Sequence, residues 1–180
     1  MSLAQAYFLL AAILVVPGVL LLFPAGVGAL NAFPRSKPAG WILFGAAAAW
    51  FLYGITQMSE AELAGIPQTL MLGLFGAAAV AAFYYLPDLL GIRGLAGLLL
   101  LTSVPVLAAG FGRLPASLPL AIVTYGVLIL PALFYGTAPY LLREWIVAVT
   151  KTGGRARIAG AAFLVVAAVC LVSGFKSPAA

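Results

Sequence analysis

The sequence predicts an all-α integral membrane protein built as a six-transmembrane-helix bundle. Three observations carry that expectation. Hydrophobic residues make up 65% of the 180-residue chain and mean hydropathy is +1.19, against an apolar share of about 45–50% in soluble domains. Charge is scarce, with nine Lys or Arg, four Asp or Glu and no His. The apolar runs are continuous and approach the ~20 residues that cross about 30 Å of hydrocarbon as a helix. Barrel strands would instead alternate apolar and polar residues over about 10 positions. A soluble domain of this length has no interior large enough to bury so much apolar surface.

The spans are read in order as a single transmembrane domain covering residues 1–180. The first occupies residues 5–30, ahead of any charged side chain. Met1-Ser2-Leu3-Ala4-Gln5 lacks a positive n-region, and Ala6 to Leu30 is too long for an h-region, so a retained helix is expected rather than a cleaved signal peptide. Asn31 to Pro38 forms the turn into span two, residues 40–57. Ser59-Glu60-Ala61-Glu62 and Pro67 precede span three, residues 68–87, with Pro67 suited to a first helical turn. Pro87, Gly91 and Gly94 punctuate a compact turn into span four, residues 94–112. Arg113-Leu114-Pro115 separates it from span five, residues 117–138. Span six covers residues 158–175. The segment 139–151 is either an extension of span five or an interfacial helix. Its Tyr140 and Trp145, beside Arg143 and Lys151, fit an aromatic belt at a membrane surface.

Orientation follows from Lys and Arg. Seven of them (Arg35, Lys37, Arg93, Arg143, Lys151, Arg155 and Arg157) fall in the first, third and fifth loops; only Arg113 and Lys176 lie on the other side. The loops are short, which is where the positive-inside rule holds. Both termini are therefore expected outside a bacterial-type inner or plasma membrane. The net charge of +5 is then a cytoplasmic-face feature directed at anionic headgroups and implies no nucleic acid.

An internal repeat is one reading of the pattern. Arg35, Lys37, Ala39, Gly40 and Gly54 align without a gap on Arg155, Arg157, Ala159, Gly160 and Gly174, and Arg93-Gly94-Leu95-Ala96-Gly97 hints at a third copy. Three helical hairpins in parallel pseudo-repeat, related by an axis along the membrane normal, would produce this correspondence. Composition alone would produce it too, because Ala and Gly are abundant and a basic residue before an entering helix is generic.

Small residues recur four apart, as in Gly45/Ala49 and Gly73/Ala77, and Gly91, Gly94 and Gly97 lie close together. Such faces let helices approach closely, within the chain or in a homo-oligomer. Pro17, Pro24, Pro87, Pro105 and Pro131 should kink or interrupt helices. Thr102, Ser103, Thr124 and Tyr125 lie inside spans four and five. On one shared face they would line a neutral solute path; otherwise they hydrogen-bond helix to helix. Asp88 and Arg93 are the only charges between Leu70 and Phe111. They form either a headgroup-level turn pair or an intramembrane ion pair.

Chemistry is restricted by what the chain lacks. Without His, a His-ligated haem or chlorophyll is ruled out, and four zinc ligands are not on offer from a lone Cys170. No phosphate loop, nucleophile elbow or dinucleotide fingerprint occurs. The acids Glu60, Glu62, Asp88 and Glu144 are not placed as a catalytic pair. No enzyme, cofactor or metal site is expected. Two classes remain. The preferred one is a passive channel, facilitator or solute-binding transporter subunit for a small neutral solute. The other is a non-catalytic structural or assembly subunit of a larger membrane complex. The topology of three hairpins with both termini outside resembles that of the bacterial urea and amide channel family. The compact six-span build likewise looks like the substrate-binding subunits of energy-coupling-factor vitamin transporters. Both resemblances are of topology and share no motif. Partners beyond the lipid bilayer would be a second copy or another membrane subunit.

Overall fold

The computed structural model describes residues 1–86 and 89–177, and among these every regular element is helical. Six helices are long and apolar enough to cross a membrane. They are α1 (Leu3–Leu22), α3 (Lys37–Thr56), α4 (Gln68–Tyr85), α5 (Leu90–Gly110), α6 (Leu118–Thr137) and α8 (Gly153–Lys176). Two shorter helices, α2 (Pro24–Ala32) and α7 (Tyr140–Thr150), lie between them.

The first apolar run is not one helix. It ends at Leu22 and restarts at Pro24, because proline disfavours helical backbone at the residue before it. Phe23 is accordingly extended at φ −110°, ψ 138°. The chain then folds back. A Cβ at Gly26 would meet Leu20 Cα at 2.7 Å and Leu20 C at 2.8 Å, so only glycine fits the reversal. Pro17 and Pro105, by contrast, sit within continuous helices.

Other boundaries moved for local reasons. The Ser36 hydroxyl accepts from Ala39 N–H at 3.3 Å and starts α3 at Lys37. Thr152 caps α8 at 3.4 Å through Arg155 N–H, which places Arg155 and Arg157 on the helix rather than in the preceding loop. Span four begins at Leu90, four residues earlier than its sequence pattern suggests. Span five carries a π-helical stretch, Thr124–Ile129, immediately before Leu130 and Pro131. Segment 139–151 contains a separate helix, α7. It buries Leu142 and Ile146 while exposing Arg143, Glu144 and Val147. That amphipathic helix packs against α2, and Thr150 donates to Asn31 Oδ1 at 3.2 Å.

Neighbours across the bundle are mostly not neighbours in sequence. Helices α1 and α8 run antiparallel, with Gly18 beside Gly160 and Phe8 edge-on to Phe175 at 5.1 Å. The latter contact brings the start of α1 and the end of α8 to the same side. Helices α3 and α5 run parallel, because Gly40 meets Gly91, Phe44 meets Gly94 and Ala47 meets Gly97 in succession. Helix α6 lies against α5, and α4 lies against α3 alone among the extensive packings of the described residues.

The principal core sits beside α1. Tyr7, Leu10 and Leu14 pack with Val106 and Ala109 of α5, Leu120 and Leu128 of α6, and Cys170 of α8. The Tyr7 hydroxyl donates to Ala116 C=O at 2.8 Å and accepts from Leu120 N–H at 3.2 Å. It thereby satisfies two backbone groups at the entrance to α6, where helical partners are missing. A smaller cluster of Ile92, Leu142 and Ile146, flanked by Leu30 and Phe33, ties α2 and α7 to the basic end of α5.

The three Ala-Gly pairs occupy different environments. Gly40 faces Gly91 of α5, Gly97 faces Ala47 of α3 and Gly160 faces Gly18 of α1. Close packing of α3 with α5 has no counterpart between α5 and α8 or between α8 and α3 among the extensive packings of the described residues.

Candidate functional site

The four uncharged residues singled out from the sequence line none of the three hollows described below. Thr102 donates to Leu98 C=O at 2.7 Å, Ser103 to Leu100 C=O at 2.7 Å and Thr124 to Leu120 C=O at 2.7 Å. Each hydroxyl is thus engaged by its own helix, which is the usual recourse of Ser and Thr in an apolar helix interior. Thr124 is fully buried and Ser103 buried, whereas Tyr125 is 52% exposed on the outer surface. Of the candidate charge pair, Arg93 lies half-buried on the first turn of α5, and Asp88 falls outside the described residues.

A lateral groove of about 520 Å³ lies elsewhere, between α3, α4 and α5. Its shape follows from residue sizes. Rings hold α4 off α3 at two levels: Phe83 sits edge-on to Phe44 at 5.1 Å and Trp41 at 5.9 Å, and Phe75 edge-on to Phe51 at 5.1 Å. Between these pillars the facing residues are small, namely Ala47, Ala48, Ala78 and Ala79. Gly97, Leu100, Leu101 and Val104 of α5 form the floor, and Arg93 supplies the charged side chain at one end.

Helix α4 contributes this wall without burying a single residue of its own. Its Gly73 and Gly76 have open space where a side chain would project, and Gly45 opposite meets only the Phe83 ring edge at 4.0 Å. The small-residue spacing in α4 is therefore not a close helix contact within the chain. In α5 it is one: a Cβ on Gly94 would overlap Phe44 N and lie 2.6 Å from Leu43 C. The sequence contained the signal for the groove, since alanine runs flanked by Phe recur in α3 and α4. Reading it required knowing that these two helices face each other with rings at matching heights.

Two further hollows are smaller. One of about 370 Å³ lies between α6 and α7, lined by Gly126, Leu130, Pro131, Phe134 and Trp145 among others. One of about 450 Å³ lies in the loop between α3 and α4, beside Glu60 and Gln68. Gln68 Nε2 donates to Ile55 C=O at 3.0 Å and so holds the loop's two ends together. In the same loop Glu62 accepts from Ser59 N–H at 2.7 Å and Ser59 Oγ at 2.8 Å. Those bonds favour the carboxylate and lower its pKa from the ordinary 4.5. Among the described residues no three of His, Cys, Asp or Glu come together as a metal-binding group.

The chain matches no protein-family model, no curated protein and no solved structure.

Proposed function

We propose that this protein is a non-catalytic structural or assembly subunit of a membrane complex, oriented with both termini outside. The observation that carries the reading is the position of its free volume. The groove of about 520 Å³ opens sideways along α3, α4 and α5 and is apolar apart from its Arg93 end. The interior around Tyr7 is instead filled by side chains. A subunit needs exposed apolar faces for its neighbours, and α4, held by α3 and without a fully buried residue, supplies one. Quantitative cross-linking in native membranes tests this. Stoichiometric cross-links from Cys placed at Leu70 or Leu74, both exposed on α4, are expected to one partner species. Cross-links confined to lipid or to random neighbours would sink the proposal.

A passive facilitator for a small neutral solute is the second reading. Its specific support is the π-helical stretch at Thr124–Ile129 in span five, a register often found at functional positions. It contains Thr124 and Tyr125, with Thr102 and Ser103 on the neighbouring helix. Osmotic swelling of proteoliposomes with urea, small amides and glycerol separates the two readings. Flux above that of protein-free vesicles, lost in Thr124→Val, would favour the facilitator. The membrane side is tested by labelling Ser36→Cys and Glu62→Cys; reagent reaching position 36 from outside would reverse the orientation.

Two finer readings join these. In the first, Asp88 and Arg93 are turn residues at headgroup depth, where an exposed pairing is worth only about 0–1 kcal/mol and leaves Arg93 free to exchange to a stronger anionic ligand. A large loss in Asp88→Asn and Arg93→Gln that the double mutant restores would make the pair intramembrane instead. In the second, the hairpins are a pseudo-repeat, which requires them to superpose by rotation about the membrane normal.

A further inference from the structure

We propose that the groove between α3, α4 and α5 is a binding site for one anionic glycerophospholipid of the leaflet at the basic end, with an acyl chain in the groove and the phosphate at Arg93. This goes beyond the subunit reading and does not depend on it.

Length, shape and charge each point to this occupant. From Arg93 to Val104 the groove follows twelve residues of α5, a rise of about 16 Å along the helix. That is close to half of the ~30 Å hydrocarbon thickness, the depth of one leaflet. Its volume of about 520 Å³ lies within the ~300–1,000 Å³ typical of specific ligand sites. The walls are alanine, leucine and phenylalanine, which suit a methylene chain and offer nothing to a polar solute.

The charged end completes the match. The Gly40–Gly91 contact sets the first turns of α3 and α5 side by side, which brings Lys37 to the same end as Arg93. The 3-10 turn Phe33–Arg35 packs against α5 and adds Arg35 there. A half-buried guanidinium offers forked donors to a phosphate, and two exposed cations beside it favour a headgroup of net negative charge over a zwitterionic one. A partner helix would fill the groove with side chains along its whole length. It would gain nothing from a basic cluster confined to one end unless it carried an acid at that depth.

Thermal unfolding of the purified full-length chain in detergent tests the site, with phosphatidylglycerol and phosphatidylcholine as the added probes. At an excess of about 100 over Kd, phosphatidylglycerol should raise Tm by about 5–10 °C, and phosphatidylcholine by less than half as much. Arg93→Gln should reduce the phosphatidylglycerol shift to the phosphatidylcholine level. Ala78→Leu, which fills the groove from the exposed side of α4, should abolish both shifts. Native mass spectrometry gives a readout that does not rely on the variants' stability: one phosphatidylglycerol retained per wild-type chain, and none per Arg93→Gln chain. Equal shifts with the two lipids, or an Arg93→Gln protein that responds as wild type, would overturn the site. So would an Ala78→Leu change that alters oligomeric state and leaves lipid retention intact, since a second copy would then be the occupant.

Discussion

Two helix pairs in this bundle begin from the same device and end differently. Helices α1 and α8 approach through Gly18 and Gly160; helices α3 and α5 approach through Gly91, Gly94 and Gly97. Beyond the glycines, the α1/α8 pair is backed by a filled core of Tyr7, Leu10, Leu14, Val106 and Leu128. The α3/α5 pair is backed by α4, which has no fully buried residue and leaves a groove. In lipid, close backbone approach supplies the packing that drives association. The side chains behind that contact decide whether the pair becomes sealed interior or an open surface.

The sharpest way to break the comparison is to add a methyl group where backbones touch. Gly94→Ala places a Cβ against Phe44 N and Leu43 C, which are backbone atoms and cannot rotate aside. Overpacking of this kind costs about 1–3 kcal/mol and more where the backbone resists. At about 2–4 °C of Tm per kcal/mol, detergent melting should show a loss of several degrees. Gly73→Ala is the matched control on α4, where no atom of another element lies within 4 Å of the new Cβ. It should be neutral or gain about 0.4–1 kcal/mol by restricting the unfolded chain. Equal losses at the two sites would mean that α4 is packed against something the isolated chain does not contain.

That contrast also marks what the sequence could disclose. Six long apolar helices were legible in number, type and order, because a continuous run of about 20 apolar residues is the length of a helix that can cross a bilayer. Their ends were less so: Pro24 split the first run and the Thr152 cap drew α8 back to Gly153. Which helices are neighbours was not legible. Similar Gly and Ala spacings occur in α4 and α5, yet only those of α5 meet a backbone. The hydroxyls of Thr102, Ser103 and Thr124 stood out by their rarity in apolar helices. Their carbonyl partners three or four residues back are available in any helix, so rarity alone said nothing of a shared path.

The filled side of the comparison depends on Tyr7. Removing its hydroxyl leaves Ala116 C=O and Leu120 N–H without the partner they have in the folded chain. Tyr7→Phe should therefore destabilise by about 1–3 kcal/mol, the cost of unsatisfied buried groups. Tyr84→Phe on the open side should change Tm little, since Tyr84 is 79% exposed. A neutral Tyr7→Phe would show that water or a rearranged loop replaces the hydroxyl, and that the core is less sealed than its burial implies.

A smaller effect is expected at Thr124. Its bond to Leu120 C=O lies within one helix, and that carbonyl already serves the helix ladder. Thr124→Val keeps the shape and removes the hydroxyl, so the change should be near the ~0.6 kcal/mol average for side-chain hydrogen bonds in membrane bundles. Stability and solute flux then separate. A flux defect without a stability defect would point to Thr124 as part of a path, and no change in either would leave it as helix packing.

The smallest expected effect lies in the loop from α3 to α4, on the open side of the comparison, and it is a matter of pH. Glu62 is fully exposed, yet Ser59 donates to it twice, through N–H at 2.7 Å and Oγ at 2.8 Å. Both bonds favour the ionised carboxyl, so the folded pKa is below the ordinary 4.5. For a depressed pKa the contribution to order is complete above the unfolded value and is lost as pH falls through the folded one. The turn from Ser59 to Gly65 should therefore keep its protection against amide exchange at neutral pH and lose it progressively below about pH 4.5. Ser59→Ala should move the Glu62 titration upward toward the ordinary range, because both the hydroxyl bond and the turn it steadies are weakened. Glu62→Gln should flatten the pH dependence of exchange at these amides while leaving Tm unchanged. An unchanged pH profile in Glu62→Gln would show that the acid sensitivity does not come from the Ser59–Glu62 bonds.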